Sequence, residues 1–171
     1  MNVRSIATYT IALIVSFFHS GAWAEDAKAE AAALATAMTN VPITLEQGLK
    51  ASEAQGKPIS AKFEIEDGGL QLSVYTAKDK HFFEVIVDHT NGKIKKTEEI
   101  VESEDLEHAN PQGIAMSKAK TSLAAAVASV QKANPGSRIV SIYPELKGGS
   151  PTAQVTLLQG NSSKTIGTKL D

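Results

Sequence analysis

No cysteine occurs in the 171 residues, so disulfides, thiolate nucleophiles and thiolate metal sites are all excluded. The core must hold the fold unaided. Aromatic side chains are scarce at 5%, and the one tryptophan, Trp23, lies close to the N-terminus. A dominant charge is missing too: 17 basic and 19 acidic residues give a formal net charge of −2, which argues against a nucleic-acid partner. Catalytic signatures are absent as well: there is no G-x-S-x-G, no H-E-x-x-H and no phosphate-cradling glycine loop. The chain is read as not being an enzyme, with no cofactor and no metal.

Only one long apolar run is present, from Ile11 to Phe18, and it follows a single cation, Arg4. Ala22 and Ala24 then give the small-x-small pattern that signal peptidase requires, just ahead of Glu25 and Asp26. The run is shorter than the about 20 apolar residues of a permanent membrane span. Residues 1–24 are therefore read as a signal peptide, and the remainder as an exported protein with no integral membrane segment. It is periplasmic in a Gram-negative cell and secreted otherwise.

Residues 25–42 form an Ala-rich leader, with Leu34 and Met38 one helical turn apart, read as a frayed helix or mobile arm. Thr44 with Gln47 makes a capping box ahead of Leu45 and Leu49, and Gly56 and Pro58 should stop that helix. Alternation over residues 59–66, a turn at Gly68 and Gly69, and the returning Leu70, Leu72 and Val74 predict a hairpin. Phe83, Val85 and Val87 continue the meander. Asn91 and Gly92 predict a two-residue type I′ turn into a short edge strand at 94–100, whose lysines discourage further pairing.

An acidic stretch, 102–115, reads as a solvated linker. A long Ala-rich helix should open near Met116, present Leu123, Val127 and Val130, and stop at Asn134 to Gly136. Strands are expected at 138–143, 153–158 and 164–170. An offset of 80 places Ile59 over Ile139, Phe63 over Tyr143, and Gly68 and Gly69 over Gly148 and Gly149, which points to a degenerate duplication. The predicted fold is α+β: a first unit at 43–101 and a second at 116–171, each a helix packed on a three- to four-stranded antiparallel meander.

The run Val85, Ile86, Val87, Asp88, His89, Thr90, Asn91, Gly92 and Lys93 has the form V-x-V-D-x-x-T/N-G-K. With the helix after Ile43 and the glycine-turn meander, it resembles the PepSY family; Pro135 to Leu146 looks like part of a shorter second copy. That resemblance implies a noncatalytic binding module, similar to the propeptide regions of secreted thermolysin-type peptidases. Inhibition or regulation of an extracytoplasmic peptidase, or binding of another envelope protein, would follow. A small-ligand or metal carrier and a structural or sensory envelope protein are the alternatives, and the sequence leaves the oligomeric state open.

His81 and His89 would stand roughly 26 Å apart on a straight strand at about 3.3 Å per residue, too far to share an ion. Asp88 is expected to accept backbone N–H bonds within its own turn, together with Asn91 and Gly92. If Val85 and Val87 face the helix, Phe82 and Ile86 face away, and Tyr75 joins them from the next strand. Tyr75, Phe82 and Ile86 then form either a docking patch or the face on which the two units pack, with Val140 and Ile142 supplying the opposite surface.

Overall fold

The alternation that begins at Lys57 builds the centre of one sheet. In a computed structural model, which describes residues 22–171, β1 (Lys57–Glu66) sets Ala61 and Phe63 on one face and Ser60, Lys62 and Glu64 on the other. β2 (Gly69–Lys78), β3 (His81–Val87) and β4 (Ile94–Glu99) follow as an antiparallel meander. A second meander comprises β5 (Arg138–Lys147), β6 (Ser150–Gln159) and β7 (Ser162–Lys169). β1 and β5 pair antiparallel, with Ala61 opposite Ile142 and Lys62 opposite Ser141. The result is a seven-stranded antiparallel sheet in the order β4-β3-β2-β1-β5-β6-β7.

Four helices cover it. α2 (Leu45–Ser52) starts at the expected box: the Thr44 N–H donates to Gln47 Oε1 at 2.8 Å and the Gln47 N–H to Thr44 Oγ1 at 3.2 Å. α2 packs against α4 (Leu123–Ala133), and both lie on the apolar face, above Leu72, Val74, Val85, Val87, Ile142 and Val155. Gly48 lets α2 approach closely, because a Cβ there would sit 2.6 Å from Leu72 Cδ2. Gly56 ends the helical segment at φ 151°, with space for a Cβ blocked by the Ala77 carbonyl at 2.9 Å.

The remaining helices correct two expectations. α1 (Ala22–Ala37) is a packed element and not a loose leader: Ala31 and Met38 are buried, and α1 touches β1, β2 and β7. The loop after it is held from the far end of the chain. The Arg138 guanidinium donates to the carbonyls of Met38, Val41 and Ile43 at 3.3, 2.7 and 2.8 Å and stacks over the Phe63 ring. The predicted signal peptide lies outside the described residues up to position 21, and cleavage after Ala24 would remove only the first three residues of α1.

The acidic stretch 102–115 is no linker. It falls almost wholly within α3 (Ser103–Lys118), which crosses β1, β5 and β6. Glu104 and Asp105 occupy the first turn, where the helix dipole favours negative charge. Leu106, Ala109, Gly113 and Met116 recur at three- and four-residue spacing and supply the inward seam. The single long helix predicted from Met116 is instead broken at 119–122, where the Lys120 and Thr121 N–H groups bond to the Leu170 carbonyl and Ser122 caps α4.

Register moves the internal alignment by one residue. Glu66 pairs with Gly69 and Lys147 with Ser150, so the hairpins superpose at an offset of 81 and not 80. Bulges fall at matching places, between Pro58 and Ser60 and between Ile139 and Ser141. A slip of one residue exchanges the faces of a strand, which is why Phe63 and Tyr143 lie on opposite sides of the sheet.

Candidate functional site

The face of the sheet opposite α2 and α4 is polar. Lys62 and Glu64 form an ion pair on β1, Ser73 donates to Glu64 Oε1 at 3.0 Å, and Gln71 donates to Ser73 at 3.0 Å. Tyr75 donates to Glu84 Oε1 at 3.1 Å, and on β6 Gln154 donates to Glu145 at 2.7 Å. Burial pushes the Glu84 carboxyl above the ordinary carboxylate range, and it pushes the Tyr75 and Tyr143 hydroxyls upward as well, reinforced by Glu84 and Glu64 for Tyr75 and by Glu64 and Glu30 for Tyr143.

Tyr75, Phe82 and Ile86 do share this face, but they are not a free patch. α3 runs over the first two: a Cβ on Gly113 would lie 3.0 Å from Phe82 Cε1, and Tyr75 lines a gap of about 20 Å³ with Lys62, Asp105, His108, Gln112 and Tyr143. That gap has room for about one water. Ser60 donates to Gln112 Oε1 at 2.6 Å and Lys57 Nζ to the Met116 carbonyl at 2.5 Å, fastening the helix down. Ile86 sits farther out, half-buried, opposite Ser73 and Lys96.

Nor do the two meanders pack face to face. They join edge to edge through β1 and β5, and Ile142 and Val140 are buried in the core, so neither forms a surface opposite Tyr75, Phe82 and Ile86. The residues that cover the face, Asp105, His108, Gln112 and Gly113, came from the stretch read as a linker. Their signal was the Leu106, Ala109, Gly113, Met116 spacing, obscured by the acidic run and by Pro111 inside the helix.

The turn after β3 is wider than a two-residue type I′ hairpin. The Gly92 N–H bonds to the Asp88 carbonyl at 2.7 Å, the Asp88 N–H to the Lys93 carbonyl at 2.7 Å, and only Gly92 has a positive φ, 75°. The intermediate residues are positioned by the Asp88 carboxylate, which accepts from the Thr90 N–H at 2.8 Å, the Thr90 hydroxyl at 2.6 Å and Asn91 Nδ2 at 3.1 Å. Bonds from the Thr90 side chain and backbone, aided by Lys95, hold the Asp88 carboxyl down at about 2.

Among the described residues no three His, Asp or Glu side chains are grouped to hold a metal ion. His81 lies 2.5 Å from Glu99 Oε1, while His108 belongs to α3. The larger cavity, about 200 Å³ between Glu53, Lys57, Met116 and Ser122, is smaller than the about 300 Å³ at which small-molecule sites begin. No described helix is long and apolar enough to cross a membrane.

What stays accessible for recognition is the backbone along the two sheet edges. The Leu170 N–H bonds to the Pro151 carbonyl, so by alternation the β7 residues Thr165 and Gly167 turn their N–H and C=O groups away from β6. Nothing lies within 4 Å of where a Gly167 Cβ would be. No protein-family model matches the chain, and neither a curated protein nor a solved structure does.

Proposed function

We propose that this chain is a noncatalytic, exported protein-binding module that restrains an extracytoplasmic peptidase by lending it the β7 edge. The observation that carries the reading is the unequal completion of the two meanders. β3 is covered on its outer side by β4, whereas among the described residues no strand pairs with the outer side of β7. An extended segment of a partner would take that position, with main-chain bonds supplying affinity and alternate side chains supplying selectivity.

Two PepSY-like units underlie this proposal. Helix, helix and meander follow one another twice, as α1, α2, β1 to β4 and then α3, α4, β5 to β7. Thr44 and Ser122 cap α2 and α4 in the same way. On this reading the Ala-rich and acidic stretches are corresponding first helices, each of 16 residues. The outer side of β7, beside the described second meander, is then the binding edge.

The test is the hydrolysis of a quenched peptide by a purified extracytoplasmic thermolysin-type peptidase, titrated with this protein. Slowing by the parent and its loss in Thr165→Pro is the expected result. That proline removes an N–H that points away from β6, so the fold should survive, as a circular dichroism melt would check. No slowing of such a peptidase at saturating protein removes the inhibitory function.

A further inference from the structure

The other edge of the sheet carries a different pattern. β4 reads Ile94, Lys95, Lys96, Thr97, Glu98, Glu99, with two cations before Thr97 and two anions after it. All five residues from Lys95 to Glu99 are exposed. The Ile100 N–H bonds to the Phe82 carbonyl at 2.8 Å, so Lys96 and Glu98 turn their backbone groups toward β3. Thr97 and Glu99 turn theirs to the open side.

We infer that β4 pairs antiparallel with β4 of a second copy of this chain, about a two-fold axis through Thr97. In that register Lys96 of each copy faces Glu98 of the other, giving two cross-strand pairs of opposite charge; Lys95 is the extra residue of a bulge in β4 and stands outside the regular ladder. Opposite charges directly across a ladder stabilise it, and like charges destabilise it. Moving the axis by one residue sets Lys96 against Lys96 or Glu98 against Glu98, so charge selects the Thr97 register over its neighbours.

The pairs these residues make within the chain do not oppose the exchange. Lys95 lies 3.5 Å from Asp88, Lys96 2.6 Å from Glu98 and His81 2.5 Å from Glu99. The Lys96–Glu98 and His81–Glu99 pairs are solvent-accessible on both sides and such pairs hold little, and the Lys95–Asp88 contact is long. Ile86 pairs with Lys96 and Val87 with Ile94, so Lys95 is the extra residue of a bulge that bends the Ile94 end of β4, which keeps the regular paired segment short and the dimer reversible. Lysine on an edge usually discourages pairing; here the two glutamates that follow convert it into a code for self-recognition. This inference is independent of the peptidase reading, which uses the β7 edge.

A cysteine-free chain makes the test direct. Thr97→Cys would face its own copy with Cα atoms about 5.5 Å apart, within the bridging range. Mild oxidation should give a disulfide-linked dimer, while Thr165→Cys on β7 should remain unlinked. Sedimentation velocity supplies the second arm. The parent should form a dimer that weakens at least tenfold on going to about 1 M salt, where the screening length is about 3 Å.

The double reversal Lys95→Glu with Lys96→Glu should be monomeric. Adding Glu98→Lys and Glu99→Lys should restore the dimer with itself but not with the parent. A parent that stays monomeric at its highest soluble concentration, a dimer indifferent to the double reversal, or linkage through Thr165→Cys in place of Thr97→Cys each overturns the inference.

Discussion

Leu72 and Ser73 are neighbours on β2, both with no exposed surface, and they face opposite ways. Leu72 lies beneath Gly48 of α2 in an apolar layer with Val74, Val85 and Val87. Ser73 lies in a hydrogen-bonded layer with Glu64 and Gln71 on the side of α3. Both faces of this sheet are covered by helices, but the apolar one gains free energy from removing surface from water, whereas the polar one must recover what desolvation costs it. The difference teaches where stability and where specificity should reside.

The sharpest way to break that contrast is a cavity on the apolar face. Leu72→Ala should cost about 2–5 kcal/mol, the range for deleting a fully buried leucine, read as a fall in the urea midpoint with an unchanged slope. Ser73→Ala on the other face should cost less, about 1–2 kcal/mol, because the bond to Glu64 and the one from Gln71 are lost while Glu64 keeps Lys62 and no large cavity opens. Equal losses from the two substitutions would mean that the polar layer contributes as much as the core.

The apolar face was the legible one. Period-two alternation in 59–66, 70–74 and 83–87, the Thr44 box and the stop before Gly136 all speak locally, and the elements they predict are present. The cover on the polar face was not, because its determinants are distributed. Nothing near Met38 announces that Arg138, a hundred positions away, will hold its carbonyl. The acidic residues of α3 look solvated in sequence, and Glu104 and Glu107 are exposed, but they are carried on a helix whose first turn holds Glu104 and Asp105. Tyr75 and Phe82 share one face by strand register, and their covering by α3 depends on Ala109 and Gly113, whose small size leaves a faint hydrophobic signal.

Two carboxylates, Glu84 in the polar layer and Asp88 in the turn after β3, refine the comparison further. Glu84 is held above its ordinary range by burial, so the folded chain keeps its proton over a window above the unfolded value. Within that window the native state binds more protons than the unfolded one, and the contribution of Glu84 to stability falls as pH rises. Glu84→Gln retains an acceptor for Tyr75 and removes the ionisation. It should melt higher than the parent at pH 7, with the gap closing toward pH 4.

Asp88 carries the opposite sign. Its carboxyl is drawn down to about 2 by the Thr90 bonds, so it supports the fold above its unfolded value near 4 and that support drains away as pH falls toward 2. Asp88→Asn should therefore be less stable than the parent at pH 7, by a smaller margin than the Ser73 variant because the turn is open to water, and the two should converge between pH 4 and 2. Melting curves at several pH values across both windows would test the pair together. Convergence of the Glu84 and Asp88 variants with the parent from opposite directions on acidification would show burial governing one carboxylate and turn bonding the other. A parallel shift of both at every pH would mean that neither charge matters and only packing was changed.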